Sequence, residues 1–201
     1  MATSLDAIGQ TPKTGREHVR SGTDPLGSQL LDLWRWSGSD LVGNTARGIL
    51  TEYLVARALG SVQPTRDEGL PFDVLSSGGL RVQVKSTAYL QSWWQSRPSR
   101  IAFSIRATRS WDPKTHVLAP QPTRECDVYV FALLAHRDKA TLDPMDVGQW
   151  WFYVLSRADV DGYSRSQHSI TLPSLERCGA RCVSHADLRT AVERVAGQCR
   201  G

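Results

Sequence analysis

The feature that most constrains the fold of this chain is a pair of short strand patterns joined by a turn. Apolar and polar residues alternate over residues 80–85, which predicts a strand with one buried face and with Gln83 and Lys85 together on the other face. Asp73 lies in the preceding apolar run, and two serines and two glycines at 76–79 mark a turn between the two runs. A hairpin of this kind would bring Asp73 close to Gln83.

A helix pattern precedes the two strands. Apolar residues recur at helical spacing over residues 44–59, and Gly60 follows as a C-terminal cap. The residues expected to form one apolar stripe are Ala46, Ile49, Leu50, Tyr53 and Ala56. Glu52 interrupts this stretch, so we expect its carboxylate to face protein, where an unpaired charge is costly. A metal ion or the Lys85 ammonium would offset that cost.

These side chains form a set that suits phosphodiester chemistry. A metal-dependent phosphodiesterase needs an oxygen ligand, a second oxygen donor beside it and a nearby ammonium group. Asp73, Gln83 and Lys85 can supply all three from adjacent strands. Without its context, however, the same pattern also occurs on ordinary solvated sheet faces.

The order of helix, aspartate strand and Gln-x-Lys strand resembles the PD-(D/E)XK nuclease superfamily, also described as restriction-endonuclease-like. The resemblance covers residues 44–90 at the level of motifs and extends more loosely to residue 156. The matching positions are Glu52, Asp73, Gln83 and Lys85, and the positions of supporting polar residues are Ser86, Thr87 and Gln91. The resemblance implies an α/β fold with a mixed central sheet flanked by helices.

The resemblance also implies a mechanism and a cofactor. It assigns Mg²⁺ or Mn²⁺ to Asp73, Gln83, the Val84 carbonyl and Glu52, and it assigns the positioning of the attacking water to Lys85. Its implied activity is that of an endonuclease, with DNA favoured over RNA as the substrate. Gln83 departs from the family pattern, because a neutral amide stands where most active members carry a carboxylate, and metal affinity should fall. The alternative is a catalytically inactive module of the same fold that binds nucleic acid or a protein partner.

The charge of the chain is concentrated near the predicted site. The net charge is +4, and residues 81–116 contain seven lysines and arginines but only one acidic residue, which would attract a polyanion. The candidate nucleic-acid-binding residues are Arg81, Trp93, Trp94, Arg97, Arg100, Arg106 and Arg109. In the alternative interpretation, Trp93 and Trp94 pack under a loop and the arginines are merely solvated.

The remaining patterns predict one domain over residues 27–201 after a flexible leader at 1–26. Further strands are expected at 100–106, extending the sheet, at 128–134 and at 151–155, and further helices at 28–36, packed over the core, and at 184–195. The longest apolar run, at 128–135, is too short to cross a membrane. Symmetric cutting of a duplex would require a homodimer, but no heptad pattern marks one.

Four cysteines without a secretory signal indicate reduced thiols and a cytoplasmic location. Cys178, Cys182, His185 and Cys199 have a spacing that suits a structural zinc site poorly.

Overall fold

A mixed four-stranded sheet forms the centre of the fold. The computed structural model describes residues 8–61, 63–112 and 115–198. Its strands are β1 (His18–Ser21), β2 (Asp24–Gln29), β3 (Val74–Leu75), β4 (Arg81–Ala88), β5 (Ala102–Ser104), β6 (Trp111–Asp112), β7 (Val117–Leu118), β8 (Val128–Leu134), β9 (Trp150–Ser156) and β10 (Ser169–Thr171). Its α-helices are α1 (Leu30–Gly38), α2 (Asn44–Leu59), α3 (Arg157–Asp161), α4 (Leu172–Arg177) and α5 (Leu188–Gln198).

The sheet has the strand order β3-β4-β8-β9. Strands β4 and β8 run parallel, whereas the β3–β4 and β8–β9 pairs are antiparallel. All seven residues of β8 are buried, as expected for a central strand that is covered on both faces. The structure therefore confirms an α/β fold with a mixed sheet and the predicted strands at 128–134 and 151–155.

The two faces of the sheet bury separate apolar clusters. Val82 and Val84 of β4 lie in the first cluster, which α2 and α5 cover. Phe131 of β8 lies in the second cluster, which includes Phe103 beside β10 and α4. Because successive strand residues point to opposite faces, Gln83 and Lys85 lie on the same face as the second cluster. The two longer helices that pack on the sheet thus cover the face opposite to these two side chains.

The structure confirms helix α2 but corrects its orientation. The helix spans Asn44–Leu59, and Gly60 ends it in a left-handed conformation with φ of 61°. Its buried apolar residues are Leu50, Leu54, Val55 and Leu59. Ile49 and Tyr53 of the predicted stripe are exposed instead. Two apolar stripes overlap on this helix, and periodicity alone did not show which of them faces the core.

The region before α2 also differs from the prediction. Strands β1 and β2 form a mostly exposed antiparallel hairpin that begins inside the expected flexible leader and extends past its end at residue 26, while residues 1–7 lie outside the described residues. Helix α1 begins at Leu30 and contains no buried residue, so it does not pack over the core as expected. Trp34 and Leu31 instead lie close to Gly15.

Two further expectations concern elements later in the chain. Ile101, Phe103 and Ile105 are buried as the alternation predicted, but β5 pairs only with β10 and does not extend the main sheet. The last helix begins at Leu188 rather than at residue 184, because Ser184 and Asp187 form a hydrogen-bonded turn before it. In the described part of the chain, no helix is both long enough and apolar enough to cross a membrane.

Candidate active site

Asp73 lies at the edge of the sheet, one residue before β3. Its backbone N–H donates to the Val82 carbonyl at 3.1 Å, which places it opposite Gln83. Asp73 Oδ2 accepts one hydrogen bond from the Gln83 amide and another from the Val84 N–H, the latter at 2.7 Å. The predicted approach of Asp73 to Gln83 is therefore confirmed.

The Val84 carbonyl faces the same edge as the Asp73 carboxylate. In a strand, the N–H and C=O of one residue point to the same side, and the Val84 N–H points to Asp73. Strand β3 pairs only with Arg81 and Val82 of β4, so its backbone does not cover this edge at Val84. A carboxylate, an amide and a main-chain carbonyl, which can all bind hard cations through oxygen, thus lie within one short stretch of the edge.

A cavity of about 180 Å³ brings Lys85 to the same place. Its lining residues are Leu70, Pro71, Asp73, Gln83, Lys85, Arg106, Thr108, Thr123, Arg124, Glu125 and Tyr129. Lys85 and Gln83 enter it from one face of β4, and Arg106 and Arg124 add cationic side chains from other segments. We refer to this space as the cationic cavity. It brings the Lys85 ammonium group and two guanidinium groups together with the carboxylates of Asp73 and Glu125 around one volume.

Glu52 reaches this region from helix α2. Its side chain is only 16% exposed. Burial raises the pKa of the Glu52 carboxyl, a hydrogen bond from Arg66 acts in the opposite direction, and the negative charge of Asp73 raises the pKa further. The positive charge of Lys85 lowers it. Glu52 therefore interacts electrostatically with both Asp73 and Lys85.

The charge of Glu52 is balanced by a residue that the sequence analysis did not identify. Arg66 donates from Nε to Glu52 Oε2 at 2.5 Å and from Nη2 to Oε1 at 3.4 Å, and its Nη1 contacts Glu68. Arg66 thus takes the place that the sequence pattern predicts for a metal ion or Lys85. Arg66 lies in the irregular segment between α2 and β3, where no periodic pattern could have indicated its direction.

A second cavity, of about 440 Å³, lies on the α2 side of Asp73. Its lining residues are Ile49, Glu52, Tyr53, Ala56, Arg57, Ser61, Gln63, Pro64, Thr65, Arg66, Asp73 and Val74. We refer to it as the α2 groove. Three residues of the predicted apolar stripe line this groove, and Asp73 lines both the groove and the cationic cavity.

The predicted supporting residues have different surroundings. Ser86 and Thr87 are half-buried in β4. Gln91 is buried, donates to the Ala88 carbonyl and the Ser99 hydroxyl, and accepts from Arg47. These hydrogen bonds hold the segment that follows β4 against the start of α2.

The predicted nucleic-acid-binding residues separate into two groups. Arg81 pairs with Asp127 at 2.8 Å and with Glu125 at 3.9 Å, so its charge is balanced within the protein. Trp93 is 53% exposed and Trp94 is 83% exposed, which argues against packing under a loop. The exposed arginines of the set are Arg97, Arg100, Arg106 and Arg109. Arg106 lines the cationic cavity, whereas the two tryptophans follow the C-terminal end of β4.

The donor set is incomplete for a metal bound by acidic, histidine and cysteine side chains alone. Within the described ranges, no three such side chains form a group that could hold a metal ion. The oxygens of Gln83 and Val84 would have to supplement Asp73, and Glu52 would have to exchange Arg66 for the ion. Cys126, Cys178 and Cys182 carry free thiols, and His185 bonds to the Leu54 carbonyl at 2.9 Å. Cys199 lies outside the described residues.

Comparison with known proteins does not assign the chain to a family. No protein-family model matches the chain, and a search of curated proteins finds no significant match.

Proposed function

We propose that the protein is a metal-dependent nuclease with a restriction-endonuclease-like fold, acting on DNA in preference to RNA. The observation that carries the proposal is the shared cavity of Asp73, Gln83 and Lys85 at the sheet edge. The PD-(D/E)XK resemblance supplies the reaction class and the preference for DNA.

The oxygen donors at the edge fit a hard divalent cation. Asp73, the Gln83 amide and the Val84 carbonyl would hold Mg²⁺ or Mn²⁺, with Glu52 joining them if Arg66 releases it. The ion would supply positive charge that lowers the pKa of the attacking water and offsets charge on the phosphate oxygens.

The protein side chains account for the other requirements of hydrolysis. Lys85 is a compact cation held on a strand, so it can orient the attacking water and stabilise negative charge on the phosphate. Arg106 and Arg124 line the same cavity, and the exposed Arg106 would attract the neighbouring phosphates. Arg124 is itself fixed by bonds to Asp161 and to the Ile105 carbonyl, so it also forms a rigid wall.

Cleavage assays on variants test the proposal. Lys85→Ala and Asp73→Ala should each lower the cleavage rate at least about 100-fold, the scale of losing one charged transition-state contact. Lys13→Ala removes an exposed lysine that is far from Lys85 in the sequence, and it should leave the rate unchanged. The substrates are duplex, branched and single-stranded DNA with Mg²⁺ or Mn²⁺. Cleavage that survives both site substitutions would refute this assignment.

A second candidate is a catalytically inactive module that binds nucleic acid or a protein partner. It is favoured by the Gln83 amide, which donates to Asp73, and by Arg66, which balances Glu52; both contacts satisfy the site without a cation. A calorimetric titration with Mn²⁺ separates the two candidates. A nuclease should bind the ion and lose affinity in Asp73→Ala, whereas the inactive module should show no binding in either protein.

A further inference from the structure

Asp73 lies between two cavities with different linings. On one side lies the cationic cavity, with Lys85, Arg106 and Arg124 in its wall. On the other side lies the α2 groove, which has Ile49 and Tyr53 in its wall. A phosphate suits the first environment and an apolar ring suits the second. A nucleotide carries both groups, joined through one sugar.

The α2 groove has the size and the surface of a ligand site. Its volume of about 440 Å³ falls within the roughly 300–1,000 Å³ of small-molecule sites. Tyr53 is 59% exposed and Ile49 is 46% exposed, and they are four residues apart on α2, so they lie on the same side of the helix. The structure therefore leaves an aromatic ring and an aliphatic side chain uncovered beside Asp73.

The groove also contains polar groups around this apolar wall. Thr65 and Gln63 line it, and Arg66 and Glu52 form their ion pair within it. Ligand sites commonly combine a mostly apolar wall with a few polar groups that fix orientation. A nucleobase has a flat face for Tyr53 and a hydrogen-bonding edge for such groups.

We propose that the α2 groove binds an unpaired nucleobase of the strand whose phosphate lies at Asp73. This inference rests on the proposed nuclease function and names its substrate class. A base inside a cavity cannot remain stacked in a duplex, and extruding a paired base is costly. The preferred substrate is therefore single-stranded DNA or a duplex with unpaired nucleotides next to the cleaved bond.

Binding measurements test the groove separately from catalysis. Fluorescence anisotropy would compare a labelled single-stranded DNA oligonucleotide with a fully paired blunt duplex in Ca²⁺, and a gel run after the titration would verify that the DNA is intact. The variant is Tyr53→Ala, with Tyr53→Phe retaining the ring. Trp151→Ala is the matched control, because it removes an exposed aromatic ring from β9 at the opposite edge of the sheet.

The wild-type protein should bind the single strand more tightly than the duplex. Tyr53→Ala should weaken single-strand binding about 10-fold, within the range for loss of one stacked base. Tyr53→Phe and Trp151→Ala should bind as the wild type does. If Tyr53→Ala does not fold, Ile49→Glu provides the same test, because it places a negative charge at an exposed position of the groove and should also weaken single-strand binding.

Unchanged single-strand affinity in folded Tyr53→Ala and Ile49→Glu would overturn the inference. If the protein still cleaves DNA through Lys85 and Asp73, the proposed function stands without the groove. If the wild-type protein binds neither form of DNA, the inference and the proposed function both fail.

Discussion

At the residue scale, Gln83 determines the charge beside Asp73. Its amide donates to Asp73 Oδ2, which also accepts from the Val84 N–H. A glutamate in its place would put two carboxylates together, and such a pair is unfavourable without a cation. Gln83 therefore spares Asp73 a second carboxylate beside it, and under the proposed function it would lower the affinity for a metal ion.

Gln83→Glu should bind Mn²⁺ at least about 10-fold more tightly, because a full negative charge replaces a neutral oxygen. In excess chelator the same variant should unfold at a lower temperature than the wild type. Calorimetry and thermal unfolding measure the two effects. Gln121→Glu, at an exposed loop position, should show neither. A metal affinity equal to that of the wild type would contradict this account of Gln83.

Glu52 gives the site a pH-dependent contribution to stability. Its pKa is raised by burial, which outweighs the opposing hydrogen bond from Arg66. A raised pKa means that the folded state favours the protonated carboxyl, so ionisation of Glu52 makes the folded protein less stable as pH rises through this pKa.

Glu52→Gln should therefore be more stable than the wild type at neutral pH, by about 1 kcal/mol or less, because the cost of burying the charge is removed together with the Arg66 ion pair that partly offsets it. The difference should disappear as pH falls through the raised pKa to the ordinary carboxyl value of about 4.3. Urea unfolding at a series of pH values measures it. Glu68→Gln is the control, because Glu68 contacts the same arginine but is 84% exposed. A constant difference between pH 4 and 7 would count against this explanation.

At the scale of the elements, the β3–β4 turn holds Asp73 in register with Gln83. The Ser76 N–H donates to the Leu80 carbonyl and the Gly79 N–H donates to the Ser76 carbonyl, each at 3.0 Å. Gly79 has φ of 79°, a conformation that side chains with a Cβ rarely adopt. This single glycine therefore helps to fix the geometry of the candidate active site.

Gly79→Ala should lower the free energy of unfolding by about 1 kcal/mol or more, because alanine is strained at this φ. An added Cβ at Gly79 would meet no atom within 4 Å, so the loss would be conformational rather than steric. Gly78→Ala is the matched control, since its φ is not positive and its Cβ would only touch Ser76 at 3.8 Å. Equal stability of the two variants in denaturant titrations would contradict the role given to Gly79.

The elements also show how far the sequence predicts the site. The alternation of β4 depends on local geometry, and it correctly placed Gln83 and Lys85 on one face. Which side of α2 faces the core depends on the neighbours that cover it: three residues of the predicted stripe line a groove, whereas Leu50 is buried in the core. The Arg66–Glu52 pair and the bonds of Arg124 to Asp161 and the Ile105 carbonyl join segments that are separated in the sequence. No periodic pattern indicates such contacts, so only the structure shows them.

At the scale of the whole molecule, the distribution of positive charge would determine affinity for a polyanion. Arg106 is exposed and lines the cationic cavity, so it is available to phosphates, whereas Arg81 is already paired with Asp127 and Glu125. The net charge of +4 does not distinguish these two kinds of arginine. The salt dependence of binding distinguishes them, because it reports how many phosphates the protein contacts.

Arg106→Ala should reduce the slope of log binding constant against log salt concentration by about 1, as expected for one lost phosphate contact. Arg81→Ala changes the net charge by the same amount but should leave the slope unchanged. Single-stranded DNA titrated at several salt concentrations provides the measurement. Equal changes in the two slopes would mean that the ion pairs of Arg81 do not keep it from the nucleic acid.

The central claim is that Asp73, Gln83 and Lys85 form one metal-dependent site for phosphodiester cleavage. The most direct test is a time course of cleavage by the wild-type protein on the DNA panel, with Mg²⁺ or Mn²⁺, then with excess chelator, then with the metal restored. We predict cleavage that stops in chelator and returns with the metal. Cleavage that continues at the same rate in excess chelator would contradict the claim.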